Sequence, residues 1–182
     1  SYYLKNNDTS RYLGAVNNIL VNFSTRGVVE GADKYISVLE DNWVKLSVVQ
    51  KSNYYSNKLA GCIKRKVKVE EIESIINLYL NDVKAETRIN WVIIARSYCY
   101  LDKYDSALQS LQLYDKYNKT KPGLYYSILY KVYKNKGDYK LAMDALEKYN
   151  EYLATIALES SESDTRFLEE RFVEREKQLT QR

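Results

Sequence analysis

An all-α solenoid of antiparallel helix hairpins, closed by an extra C-terminal helix, is the fold class this sequence predicts. Three observations predict it. One Pro and six Gly in 182 residues are too few for a turn-rich β fold. Apolar residues recur at helical spacing. The text also repeats itself at an offset of 35 positions: YCYLDKYDSALQSLQLY from Tyr98 to Tyr114 is echoed by NKGDYKLAMDALEKY at 135–149. Such a repeat is the sequence signature of stacked supersecondary units.

Taken in order, Val16, Ile19, Leu20 and Phe23 make one helical stripe, and Ala32, Ile36 and Leu39 make a second. Together they predict a degenerate first hairpin over roughly 9–42. Its spacing to the next unit is 40, so DNWVKLSVVQ (41–50) absorbs extra residues and is expected to be helical. Units at 53–87, 88–122 and 123–157 follow. Ile93 pairs with Ile128, Tyr98 with Tyr133, Tyr104 with Tyr139, Ala107 with Ala142, Leu111 with Leu146, Tyr114 with Tyr149 and Tyr117 with Tyr152. One period upstream, Ala60, Ile63, Val69, Ile76 and Tyr79 match Ala95, Tyr98, Tyr104, Leu111 and Tyr114. Trp91, Ile94, Ala95 and Tyr98 form one face of a first helix; Tyr104, Ala107, Leu108, Leu111 and Tyr114 form one face of a second. LDK (101–103) and NKGD (135–138) are the turns, with Gly137 suited to a left-handed helix end and Asp138 to capping the next helix. Ala107 and Ala142 are small where two helices of a hairpin cross. The array is expected to fill 1–158. Residues 159–182 read differently, as a charged helix capped by Ser163 or Asp164, with a thin stripe of Phe167, Leu168, Phe172 and Leu179. That segment is open to three readings: a cover for the end of the solenoid, a linker, or a self-associating helix.

Composition removes several kinds of chemistry. With no His, the chain carries no Ser-His-Asp or Cys-His catalysis and no HExxH zinc site. No Gly-rich phosphate loop, dinucleotide fingerprint or metal-spaced cluster is present. Glu70–Glu71 and Glu169–Glu170 are neighbours about 100° apart on a helix, which makes them solvated faces. No active site and no cofactor or metal is expected. A net charge of +4, with Lys64–Lys66 as its densest basic spot, predicts no nucleic-acid partner for this segment. Cys62 is expected between helices; Cys99 is the thiol open to reaction, although no neighbour by spacing lowers its pKa. The two Cys leave the redox compartment open. No run approaches the ~18 apolar residues of a membrane span. The chain opens on Ser1 rather than Met and reads as a piece of a longer protein. Nineteen Tyr suit half-buried seams between helices and also binding grooves.

Trp91, Ile94, Ala95, Tyr98, Ala107 and Leu111, then Tyr126, Leu129, Tyr130, Tyr133, Ala142 and Leu146, resemble the tetratricopeptide repeat (TPR) over about 53–157. Departures are Tyr130 at a place for a small residue, a period of 35 rather than 34, and Pro122 only approximating the terminal Pro. The resemblance implies a TPR-like α-α superhelix whose first helices line a concave groove. Counted by repeat position, the groove residues are Tyr54, Asn57, Lys64 and Arg65; Ile89, Val92, Arg96, Cys99 and Tyr100; and Leu124, Ser127, Lys131, Lys134 and Asn135. An apolar strip with cations beside it implies an acidic protein or peptide ligand. The two-carboxylate clamp of chaperone-binding TPRs is not expected, because Gly61, Ile93 and Leu124 stand at its places.

YKNKGDYKLAMDALEKYNEYL followed by SDTRFLEERFVEREKQ is further similar to the end of sensor segments in membrane-bound regulators of the Bacteroidales. In those, TPR-like repeats lie outside the cytoplasmic membrane, and a charged helix leads through a span to a helix-turn-helix or histidine-kinase output domain. The resemblance implies a non-enzymatic, periplasmic ligand-sensing region of a membrane-anchored protein; the self-associating reading of the C-terminal helix would make it a homodimer. The alternative is a soluble, cytoplasmic adaptor holding a partner peptide in the groove.

Overall fold

The computed structural model describes the backbone of residues 9–25 and 31–180, and the side chains of residues 9–22 and 31–160. Among these residues there are eight α-helices. They are α1 (Thr9–Thr25), α2 (Ala32–Asp41), α3 (Val48–Arg65), α4 (Val69–Asp82), α5 (Trp91–Tyr100), α6 (Tyr104–Tyr117), α7 (Gly123–Lys136) and α8 (Tyr139–Thr180). Single 3-10 turns occupy Trp43–Lys45 and Glu86–Arg88, and no strand occurs among the described residues. Phe23 lies outside the described side chains.

The 35-residue period is present in the backbone: α4, α6 and α8 begin at Val69, Tyr104 and Tyr139. The hairpin turns repeat as well. The first helices α3, α5 and α7 each end on one left-handed residue, Lys66 (φ 54°), Asp102 (φ 56°) or Gly137 (φ 80°). The following N–H then reaches five residues back, from Val67 to Cys62, Lys103 to Tyr98 and Asp138 to Tyr133, at 3.2, 2.9 and 3.0 Å. These bonds satisfy carbonyls that the helix end would otherwise leave open. Gly137 takes this conformation without steric cost. Asp138 caps α8, its Oδ1 accepting the Leu141 N–H at 3.3 Å.

The 41–50 segment departs from the helix expected there. Lys45 N–H donates to the Asn42 carbonyl and Leu46 N–H to that of Trp43, a tight turn rather than a continuous helix. Ser47 then starts α3 early through a capping box: its Oγ accepts the Gln50 N–H at 3.3 Å, and its own N–H donates to Gln50 Oε1 at 2.9 Å. The extra residues therefore lengthen α3, 18 residues against 10 in α5.

The chain divides after Lys119 into two compact units. In the first, α3 packs on both α1 and α5, while α2, α4 and α6 each pack on the first helix of their own hairpin. Leu13, Val16, Leu20, Leu39, Leu59, Ile72, Ile76 and Ile94 form its core, with Cys62 among them between the helices. Tyr79 of α4 is fully buried and ties three segments together. Its ring stacks on Tyr55 at 5.1 Å. Ser52 Oγ donates to the Arg88 carbonyl at 2.6 Å, so at the 2.6 Å contact between them the Tyr79 hydroxyl donates to Ser52. The Tyr79 oxygen accepts from Ser56 Oγ at 3.2 Å and from the Asn90 N–H at 2.9 Å. Every polar atom of this buried network is satisfied, which is the condition for burying it at all.

Ala107 and Ala142 are the fourth residues of α6 and α8 and are 0% and 2% exposed. Their counterpart in α4 is Ile72, also fully buried, so the α3–α4 pair houses a larger side chain at the same repeat position.

The second unit is built on the α7–α8 hairpin, with Tyr125, Ile128 and Val132 buried from α7 and Ala142 and Ala145 from α8. Gly123 opens α7 against the ring of Tyr152, where an added Cβ would fall 2.4 Å from Cδ1. Gly123→Ala is therefore expected to destabilise this unit by about 1 kcal/mol, although alanine is the better helix former. Adding Tyr152→Ala should cancel the loss in a urea-denaturation cycle; additive losses would contradict the close approach.

A separate helix starting at Ser163 or Asp164 does not form. α8 runs unbroken from Tyr139 to Thr180, because nothing after Gly137 is a Gly or Pro able to stop it. The Phe167, Leu168, Phe172 and Leu179 stripe lies outside the described side chains.

Candidate functional site

The residues predicted to line a groove divide into buried and exposed sets. On α3, Tyr54 and Asn57 are buried at 5% and 8% exposure. Tyr54 packs edge-on against Trp43 and Tyr55, at 5.0 Å each. Asn57 Nδ2 donates to the Asn53 carbonyl at 2.8 Å, and Asn53 Nδ2 donates to Asn17 Oδ1 of α1 at 3.0 Å. This part of α3 is taken up by the hairpin before it and is not open to a ligand. Lys64 and Arg65 are exposed, and Arg65 bonds both carboxylate oxygens of Asp33 on α2, at 3.1 and 3.2 Å.

Ile89, just before α5, and Val92 and Cys99 on it are buried, while Arg96 and Tyr100 are half-buried. Cys99, at 3% exposure, is closed off rather than placed to react. On α7, Leu124 and Lys131 are at the surface. Ser127 Oγ donates to the Leu124 carbonyl at 2.9 Å, Asn135 Nδ2 to that of Lys131 at 2.8 Å, and Lys134 lies 5.5 Å above the Tyr130 ring. The α3 and α5 residues belong to the first unit and the α7 residues to the second.

Several cations of the first unit are committed to carboxylates. Lys58 Nζ reaches Glu40 at 2.9 Å and the Tyr54 hydroxyl at 2.8 Å, while Tyr54 donates to Glu40 at 2.5 Å, a closed triangle joining α2 to α3. Lys103 pairs with Glu73 at 2.5 Å and Lys116 with Glu86 at 3.8 Å. The Lys103–Glu73 pair borders a shallow cleft of about 120 Å³, lined also by Ile76, Asn77 and Tyr98. Its charges are already matched.

Burial, then the Glu40 carboxylate, raises the Tyr54 hydroxyl; burial, then Asp82, raises that of Tyr55, which donates to Asp82. For Lys58, burial pushes the ammonium down, but its bonds to Tyr54 and Glu40 outweigh that and raise it. All three folded values lie above the unfolded ones. Their contribution to stability is therefore complete below pH 10 and is lost as pH rises beyond it. For Glu40, burial pushes the carboxyl up, yet the bonds from Tyr54 and Lys58 outweigh it and lower it. Its contribution holds above the ordinary glutamate value and is lost as pH falls through the lowered one. The melting temperature should be level across neutral pH and fall above about pH 10. Tyr55→Phe should flatten the alkaline fall, and an unchanged slope would contradict the assignment.

Arg96 stands apart. Burial alone holds its guanidinium below the usual arginine value, and it makes no hydrogen bond or ion pair with any described residue. Repeat counting had picked out this position; its lack of a partner has no signature in one sequence. Trp43, Glu40 and Lys58 were missed as a cluster, since α2 and the 3-10 turn fall outside the 35-residue register.

No helix among the described residues is long and apolar enough to cross a membrane. Comparison with protein-family models, curated proteins and solved structures found no match.

Proposed function

We propose that this chain is a non-catalytic interaction module, a TPR-like α-α array that binds a protein or peptide, and that it is the extracytoplasmic sensing region of a membrane-bound regulator. The observation that supports the module is the recurrence of helix starts at Val69, Tyr104 and Tyr139, each following a left-handed helix end. Hairpins built to one plan stack by burying each other's apolar faces, and such arrays present extended surfaces instead of enclosed pockets.

The sensor reading draws on the resemblance of the C-terminal text to regulator sensor segments, and on α8, whose 42 residues span about 63 Å at the usual rise. A helix of that length carries a change of pose over a distance, provided a ligand binds two poses with different affinities. The adaptor reading shares the module and omits the span. Peptide display against the whole chain tests the module: enrichment of acidic sequences is expected, and no enrichment over an unrelated helical protein would overturn it. The gene sequence after Arg182 tests the sensor. An apolar stretch of about 18 or more residues is expected there, and an immediate stop codon would leave the adaptor.

A further inference from the structure

We infer that Arg96 anchors a carboxylate, and that the ligand which brings it is an acidic segment of a partner protein. The inference rests on the interaction-module reading and adds the chemistry by which that module would recognise its partner.

Arginine cannot shed its proton to escape burial, so a guanidinium withdrawn from water needs a compensating anion. Among the described residues of the first unit, the other half-buried cations meet that need from within: Lys58 pairs with Glu40 at 2.9 Å, and Lys51 lies 4.8 Å from the centre of the Trp43 ring. Arg96 is half-buried and has no such partner among the described residues. Val92 one turn before it and Cys99 three residues after it are 4% and 3% exposed, and Tyr100 one turn on is half-buried. By helical spacing Arg96 thus shares its face of α5 with apolar neighbours. There an arriving carboxylate meets less competition from water, and the planar fork can hold both its oxygens. A residue kept only for its packing would work as well with a neutral stem of similar length.

Arg96→Met separates the two roles. Thermal denaturation of the whole chain is followed in sodium chloride and in disodium glutarate at equal ionic strength. In chloride the variant should melt a few degrees higher, roughly 3 °C, because an uncompensated charge has been removed. In glutarate the wild type should rise and the variant should not. A variant that melts lower in chloride and responds to glutarate like the wild type would overturn the proposal. The partner class is read from the Arg96 Nε–H resonance, assigned by its loss in the variant. A glutamate-rich peptide should move it saturably and about tenfold more tightly than glutarate. Movement by glutarate with none by the peptide would reject a protein partner, and no movement with either would reject the site. Display-selected binders that ignore Arg96→Met would leave the module standing and remove only this anchor.

Discussion

Tyr79→Ala is expected to lower the stability of the first unit by about 4 kcal/mol, in the range for deleting a buried aromatic ring. The side chain is fully buried, and its removal takes away both the ring stacked on Tyr55 and the hydroxyl that joins α3, α4 and the segment before α5. Domains of this size hold roughly 5–15 kcal/mol in total, so the variant should be partly unfolded on mild heating. Tyr79→Phe separates the two contributions. It keeps the ring and strips the acceptor from both the Asn90 N–H and the Ser56 hydroxyl, while Ser52 retains the Arg88 carbonyl. A loss of about 2 kcal/mol is expected, chiefly the cost of the fixed Asn90 N–H left unpaired, since the Ser56 hydroxyl can rotate. Urea denaturation followed by circular dichroism measures both. A Tyr79→Phe variant as stable as the wild type would mean that the hydroxyl network contributes nothing net.

Ala107→Leu should cost about 3 kcal/mol by forcing α6 away from α5. Ala107 has no exposed surface, so three added carbon atoms have nowhere to go without moving a helix. Ala142→Leu makes the same test in the second unit, where the wild-type side chain is 2% exposed. Exposed substitutions on helices stay within about 0.5 kcal/mol, so the predicted losses are readily told apart from a surface effect. Ile72 is the internal control. At the same repeat position in α4 the site already holds a large side chain, so there the damaging change runs the other way, with Ile72→Ala costing about 3 kcal/mol.

That contrast shows what one sequence reveals and what it does not. The starts of α4, α6 and α8 were legible because apolar spacing and textual repetition agreed at Val69, Tyr104 and Tyr139. The turn chemistry at Gly137 and Asp138 was legible for the same reason. Lys66 and Asp102 take the same left-handed conformation without a glycine to announce it. The early start of α3 was hidden, since the register between the first hairpin and residue 53 is broken.

The candidate surface was less legible than the fold. Counting repeat positions identifies a helix face but not the element that covers it. Tyr54 and Asn57 were assigned to a groove, yet Tyr54 seals the α2–α3 junction with Glu40 and Lys58, and Asn57 lies beside the Asn53–Asn17 bond to α1. Cys99 likewise looked open by position and is closed in the fold. At the C-terminus, serine-rich text suggested a cap near residue 163. Capping preference acts only where a chain leaves the helix; once α8 is under way, adding residues costs less than ending it and nucleating another.

The central claim is that hairpins recur on one 35-residue plan, with buried alanines at the same point of α6 and α8. Backbone chemical shifts together with methyl nuclear Overhauser contacts of an alanine-labelled sample test it most directly. The account predicts helix starts at Val69, Tyr104 and Tyr139, with the Ala107 methyl touching α5 and the Ala142 methyl touching α7. Starts that fall out of step, or either methyl facing water, would contradict it.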